Sequence, residues 1–108
     1  MINIMQKLKI LIIKELNLGN KNIGNEGLKF ICKIEFKESN KLDLSSNGIL
    51  DINVLEKVNF KELKELNLSL NAISDINILE KVNLNELKEL DLSYNRISDI
   101  NILEKANF

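Results

Sequence analysis

Regularly spaced carboxylates are the residues of this sequence that could most readily take part in catalysis. Glu65, Glu89 and Asp91 could be imagined as an acid–base pair, because general acid–base catalysis places two such groups beside one substrate. They recur at a fixed interval along the chain, however, and nothing around them predicts a pocket that would raise a pKa. We therefore expect them to be surface positions of a repeat and predict no catalytic residue.

Other reactive groups are few. The chain has no histidine, the commonest general base and metal ligand. Its single cysteine, Cys32, lies in an apolar run that is typical of a small buried side chain in a reducing compartment, with a reactive or metal-binding thiol as the alternative. Asp75 and Asp99 lack the alternating oxygen ligands and the glycine of a calcium loop. The sequence predicts no metal, no cofactor and no enzyme.

Composition excludes several classes of partner. The net charge is −1, from 15 Lys and Arg against 16 Asp and Glu, so no electrostatic attraction to nucleic acid or to an anionic membrane is expected. Apolar residues make up 44% of the 108 residues, which suits one domain with a continuous core. No apolar run approaches the roughly 20 residues of a membrane span, and the apolar beginning of the chain lacks the pattern of a signal peptide. We expect a cytoplasmic protein.

An internal repeat positions all of these groups. The sequence Leu-Lys-Glu-Leu-Asn/Asp-Leu occupies residues 63–68 and again 87–92, and Ile73 to Lys81 returns unchanged from Ile97 to Lys105. Earlier units carry Leu42-Asp43-Leu44 and Leu16-Asn17-Leu18 at the matching places. Such self-similarity is the signature of a stacked repeat protein.

Each unit reads L-x-x-L-x-L-x-x-N-x-I, which resembles the leucine-rich repeat family over essentially the whole chain. The two central repeats are similar to the short-helix class of phosphatase-regulating and internalin-type proteins. The first repeat, with Ile23-Gly24-Asn25-Glu26-Gly27-Leu28, resembles the ribonuclease-inhibitor class, whose outer helix is longer. The resemblance implies an α/β solenoid, a right-handed horseshoe segment with parallel strands on the concave side, and a protein-binding function.

The residue pattern independently predicts the elements of one unit. Leu66 and Leu68 alternate with polar residues, as in a short strand with one buried face. Farther on, apolar residues recur every third position, which favours a short α or 3₁₀ helix on the convex side, and Ser74 and Asp75 stand where its N-cap belongs. We expect every inward leucine to be core: Leu16, Leu18, Leu42, Leu44, Leu66, Leu68, Leu90 and Leu92.

An asparagine column follows the strands. Asn47, Asn71 and Asn95 are expected to turn inward and satisfy backbone groups at the turn. The first repeat has Lys21 at this place, which puts the column in doubt at that end.

The register divides a single domain of residues 1–108 into repeats. Residues 1–12 match the outer half of a preceding repeat, 13–38, 39–62 and 63–86 are full repeats, and 87–108 is an incomplete last one. Neither end shows the polar capping unit that solenoids normally carry. Two explanations remain open: the chain is a piece of a longer array, or another chain, such as a second copy, covers its ends.

The same register predicts which residues face a partner. The outward positions of the strands form one polar group on the concave side: Glu15, Asn17, Lys41, Asp43, Glu65, Asn67, Glu89 and Asp91. At the strand exits Leu70 and Tyr94 should lie side by side, with Arg96 nearby, a composition typical of interface hot spots. For the polar positions a solvated strand face is the simpler interpretation, and for Leu70 and Tyr94 a covering further repeat is the alternative.

Three functions follow, in decreasing order of support. The first is a non-catalytic module that binds a protein or peptide through its concave face. The second is a structural segment of a larger complex or longer array, associating through its uncapped ends. Regulation of an enzyme such as a phosphatase is the third, and it rests on the resemblance alone.

Overall fold

The computed structural model describes residues 15–33, 39–58 and 60–106. The half-repeat predicted for residues 1–12 lies outside the described residues. So do residues 34–38 and 107–108, which the sequence assigns to the ends of the first and last repeats.

Within the described residues, four strands of three residues form the concave layer, one from each repeat. They are β1 (Glu15–Asn17), β2 (Lys41–Asp43), β3 (Glu65–Asn67) and β4 (Glu89–Asp91). All pairings are parallel, in the order β1-β2-β3-β4, with Leu16, Leu42, Leu66 and Leu90 in register. The parallel strands of the predicted solenoid are confirmed.

Short helices form the opposite layer of the last three repeats. They are η1 (Asn53–Lys57), η2 (Asn77–Glu80) and η3 (Asn101–Glu104), all 3₁₀ helices, as the three-residue apolar spacing favours. The predicted cap is corrected. The N-cap of η2 is Ile76, which makes no side-chain cap bond, so neither Ser74 nor Asp75 is the cap. The Asp75 carboxylate accepts from the Asn77 backbone N–H at 2.9 Å, one residue before the cap. None of the helices in the described ranges has the length and hydropathy that crossing a bilayer requires.

The first repeat carries an α-helix instead. Helix α1 (Gly24–Ile31) has eight residues and buries Leu28 and Ile31, in agreement with the longer outer helix expected there. Gly27 is needed within it, because a Cβ atom at this position would stand 2.5 Å from the Cβ of Ile23. The close approach of Ile23 explains a glycine in a helix interior, where alanine is otherwise favoured.

The core lies between the two layers and is complete in the middle of the stack. Leu42, Leu44, Leu66 and Leu68 are at most 2% exposed. The expectation that all eight inward leucines are core is wrong for the outer four, which are half-buried: Leu16, Leu18, Leu90 and Leu92. The physical reason is that β1 and β4 each have one described neighbour in the sheet, so these leucines have a described strand on one side only.

The asparagine column forms a ladder of side-chain hydrogen bonds, and the prediction is confirmed. The Asn71 side chain accepts from the N–H groups of Asn47 and Ile49, at 2.9 and 3.0 Å, in the preceding repeat. Its amide group donates to carbonyl oxygens of Leu44, Leu68 and Ser69. Each asparagine therefore joins its own turn to the turn before it.

The ladder also reaches the first repeat, although Lys21 replaces the asparagine there. The N–H groups of Lys21 and Ile23 donate to the Asn47 side chain, at 3.0 and 3.2 Å, and Asn47 in turn donates to the Leu18 carbonyl. The first turn needs no asparagine of its own to be held, because the second repeat supplies one.

Candidate functional site

Eight of the eleven predicted site residues lie together on the sheet. They line a shallow concavity of about 290 Å³ across all four strands, which the inward leucines Leu16, Leu42 and Leu66 also border. The eight are Glu15, Asn17, Lys41, Asp43, Glu65, Asn67, Glu89 and Asp91. Strand register puts them there, since equivalent residues of parallel strands stand next to one another, about 4.8 Å apart.

The concavity is strongly acidic. Five carboxylates line it, and Lys41 is the one cation among its lining residues. Lys41 lies between Glu65 and Glu15, at 3.3 and 3.5 Å, and the hydrogen bond and charge of Glu65, followed by those of Glu15, raise the pKa of the Lys41 ammonium group. Glu89 takes part in no ion pair among the described residues. An excess of four negative charges therefore faces solvent on this side, in a chain whose net charge is −1.

Four of the eight side chains also have a structural task. The Asp91 carboxylate accepts from the Ser93 N–H at 3.0 Å and from its hydroxyl at 2.6 Å, and the hydroxyl bond is the main reason that the pKa of Asp91 is lowered. Equivalent bonds from the N–H two residues later hold the strand exits at Asn17, Asp43 and Asn67. These side chains fix the turns after the strands, whatever they contact in a partner.

The other three predicted residues lie beside the concavity and not within it. Leu70 and Tyr94 follow β3 and β4 and are 53% and 79% exposed, and Arg96 is exposed as well. The Leu70 N–H donates to the Ser93 carbonyl at 3.0 Å, which holds the two strand exits side by side. The sequence prediction that Leu70 and Tyr94 are neighbours is consistent with this bond.

The backbone at Leu70 and Tyr94 is left-handed. Their φ angles are 55° and 54°, and the equivalent residues Asn20 and Ser46 have the same conformation. The left-handed conformation costs L-residues about 1–2 kcal/mol, and asparagine is among the few that adopt it readily. Large side chains therefore occupy two positions where the backbone disfavours them and where more than half of their surface stays exposed.

Cys32 is half-buried, and burial raises the pKa of its thiol to about 11. The group is thus protonated at neutral pH, which is the state of an unreactive thiol. No cluster of metal-ligating side chains is found in residues 15–33, 39–58 and 60–106.

A second depression lies on the helix side, between α1 and η1, and sequence reasoning missed it. It encloses about 620 Å³, and its walls are Glu26, Lys29, Phe30, Cys32, Lys33, Asn53, Val54 and Lys57. The signal that could have found it is the change of outer helix between the first repeat and the second. Two helices of different width and length cannot pack in the way that two equal ones do.

A parallel sheet of in-register strands, short helices on the other side and an asparagine ladder define a repeat solenoid. Comparison with family models agrees. Residues 61–105 match a model described as leucine-rich repeats in two copies, and residues 12–32 match a model of a single leucine-rich repeat. The chain therefore belongs to the leucine-rich repeat proteins, which are generally protein–protein interaction modules. A search of curated proteins returned no match.

Proposed function

We propose that this chain is a non-catalytic module that binds a protein or peptide through the concave face of its sheet and the adjoining strand exits. The observation that carries the proposal is the pair Leu70 and Tyr94. Both are exposed, both adopt a left-handed backbone that a leucine or tyrosine disfavours, and they adjoin the acidic concavity. Unfavourable residues that do not serve the fold are typical of binding surfaces.

The charge of the face indicates the kind of partner. A surface with five carboxylates around one lysine favours a segment that carries Lys or Arg, since complementary charge steers the encounter and rejects acidic competitors. Glu89, which has no ion pair in the described part of the chain, is the first carboxylate available to such a cation. Tyr94, in the same repeat, supplies the apolar contact.

Asparagine substitution tests the proposal, because the chain itself places Asn20 at the equivalent position. In Leu70→Asn combined with Tyr94→Asn we expect partner binding to be lost while the free energy of unfolding stays equal or rises by about 1 kcal/mol as strain is relieved. The measurement is quantitative capture of proteins on the immobilised wild-type and variant chains, with urea unfolding of both.

Lys81→Glu, an exposed change on the helix side, is the matched control. The proposal expects at least one protein that wild type and control retain and the double variant does not. If all three chains retain the same proteins equally, the strand exits are not the binding surface.

A second candidate function is assembly through the β4 end of the stack. It is favoured by the half-buried state of Leu90, Leu92 and Ile97, whose equivalents in the middle repeats are buried. A further repeat or a second copy packed against β4 would cover them.

We also propose that the last three repeats belong to the short-helix class of phosphatase-regulating and internalin-type repeats. Their helices of four or five residues support this assignment. The eight-residue α1 supports a ribonuclease-inhibitor-like first repeat.

A further inference from the structure

The depression between α1 and η1 has an apolar interior. Phe30 on α1 is 65% exposed and Val54 on η1 is half-buried, and both border the groove together with the half-buried Cys32. The buried residues of α1 are Leu28 and Ile31, so most of the Phe30 ring is left available to another molecule.

The change of helix type explains why the groove is open. Helices η1 and η2 pack against each other, as do η2 and η3. In the third repeat Ile78, the equivalent of Val54, is buried, since it has a 3₁₀ helix on each side. Val54 has η2 on one side and the wider α1 on the other, and it stays half-buried. The groove thus lies where the repeat geometry changes.

The rim of the groove is basic. Its lining includes three lysines, Lys29, Lys33 and Lys57, and one carboxylate, Glu26. Glu26 already forms an ion pair with Lys29 at 3.4 Å. In the described part of the chain, Lys33 and Lys57 form no ion pair. The charge is opposite to that of the concave face, so one partner surface cannot suit both sides of the molecule.

We propose that this groove is a second docking surface, for an acidic segment of a protein partner that carries a large apolar side chain. The apolar side chain lies between Phe30 and Val54, and flanking carboxylates pair with Lys33 and Lys57. A volume of about 620 Å³ is of the size that holds a few residues of such a segment. The inference goes beyond binding at the concave face and does not depend on it.

The test uses the full chain, isotope-labelled for NMR, and two synthetic peptides. One peptide alternates Glu with Leu, and the other has Gln in place of every Glu. We expect the Glu peptide to shift the backbone amides of α1 and η1 and to bind about tenfold more tightly than the Gln peptide, an advantage that falls as salt is added.

Two variants locate the effect. Lys33→Glu combined with Lys57→Glu is expected to weaken binding of the Glu peptide about tenfold, as is Phe30→Ala, an exposed change that leaves the core intact. Lys81→Glu combined with Lys105→Glu changes the charge equally, at residues that match Lys57 in later repeats, and is expected to alter the affinity by less than about twofold. Circular dichroism confirms that each variant is folded.

Three results would overturn the proposal. The first is the absence of shifts in α1 and η1 at saturating Glu peptide, or shifts centred on β3 and β4 instead. The second is equal binding of the Glu and Gln peptides. The third is an equal loss in both pairs of lysine variants, which would make the attraction a property of the whole helix side. None of these results depends on Leu70 or Tyr94, so failure here leaves the concave-face proposal to its own test.

Discussion

Single polar side chains at the ends of the strands accept hydrogen bonds that hold the following turns. The Asp91 carboxylate receives both the N–H and the hydroxyl of Ser93, and the short hydroxyl bond of 2.6 Å favours the ionised form. The pKa of Asp91 is accordingly lowered. A group whose pKa is lower in the folded state contributes stability above its unfolded pKa, and the contribution disappears as the pH falls through the folded pKa.

Ser93→Ala tests this coupling. We expect the pKa of Asp91 to rise towards its ordinary value, and the stability difference between wild type and variant to shrink as the solution is acidified through the folded pKa. The measurements are an NMR titration of the Asp91 carboxyl carbon and urea unfolding across the acidic range. Ser98→Ala removes a hydroxyl elsewhere in the same repeat, and an equal change in that variant would contradict the assignment.

At the scale of the element, the asparagine ladder joins the turns of neighbouring repeats, which hydrogen bonds within one repeat cannot do. The three-residue strands end in turns whose N–H groups face inward, and a side chain from the next repeat satisfies them. Asn71, in the middle of the ladder, accepts from two N–H groups of the second repeat, and the Asn95 side chain accepts from that of Ile73. Asn47 likewise accepts from two N–H groups of the first repeat, so the ladder joins all four repeats.

Asn71→Ala should be costly for this reason. It removes the acceptor of two N–H groups, those of Asn47 and Ile49, and the side-chain donor to the Leu44 carbonyl, and we expect a loss of about 2–4 kcal/mol in the free energy of unfolding. The carbonyl oxygens of Leu68 and Ser69 keep bonds from the Asn95 side chain and the Ser46 N–H. Asn95→Ala should lose less, and Asn77→Ala, an exposed residue of η2, should change stability by less than about 0.5 kcal/mol. Urea unfolding measures all three, and equal losses at Asn71 and Asn77 would contradict a special role of the ladder.

Across the whole molecule, burial declines from the middle repeats to the outer ones. Leu68 is fully buried, whereas Leu92, its equivalent one repeat later, is half-buried. Apolar burial is the main source of stability, so the second and third repeats stabilise the fold and the fourth depends on them.

Leucine truncation at the two positions measures this gradient. Leu68→Ala is expected to cost about 2–5 kcal/mol, and Leu92→Ala about half as much, because fewer contacts are lost and the site is already open to water. Both values should be independent of protein concentration. If the cost of Leu92→Ala rises with concentration and light scattering shows growth in molar mass, the chain associates through β4 and assembly becomes the leading function.

Much of this fold followed from residue spacing. The strand was predicted from the period of two at Leu66 and Leu68, the helix from the steps of three after Ile73, and the ladder from the recurrence of Asn71 and Asn95. These predictions were possible because the same pattern of residues occurs in several repeats. The incomplete burial of the outer leucines was missed, since a pattern gives the direction of a side chain and not the number of its neighbours.

The candidate site was less accessible to sequence reasoning. The concave positions followed from the register, yet the left-handed backbone at Leu70 and Tyr94 was not predicted, and it is what separates them from ordinary surface residues. The groove beside Phe30 depends on how the α-helix of the first repeat packs beside the 3₁₀ helix of the second, and the pattern of either repeat alone does not predict that packing.

The asparagine ladder also bears on the order in which the repeats can form their hydrogen bonds during synthesis. Each turn is tied by a side chain that lies farther along the chain, as Lys21 and Ile23 are by Asn47, and Asn47 and Ile49 are by Asn71. A ribosome releases the donors first and their acceptor one repeat later. We therefore expect the turns of the first three repeats to gain these hydrogen bonds only after the following repeat has been synthesised, so that the stack is completed from the first repeat towards the last.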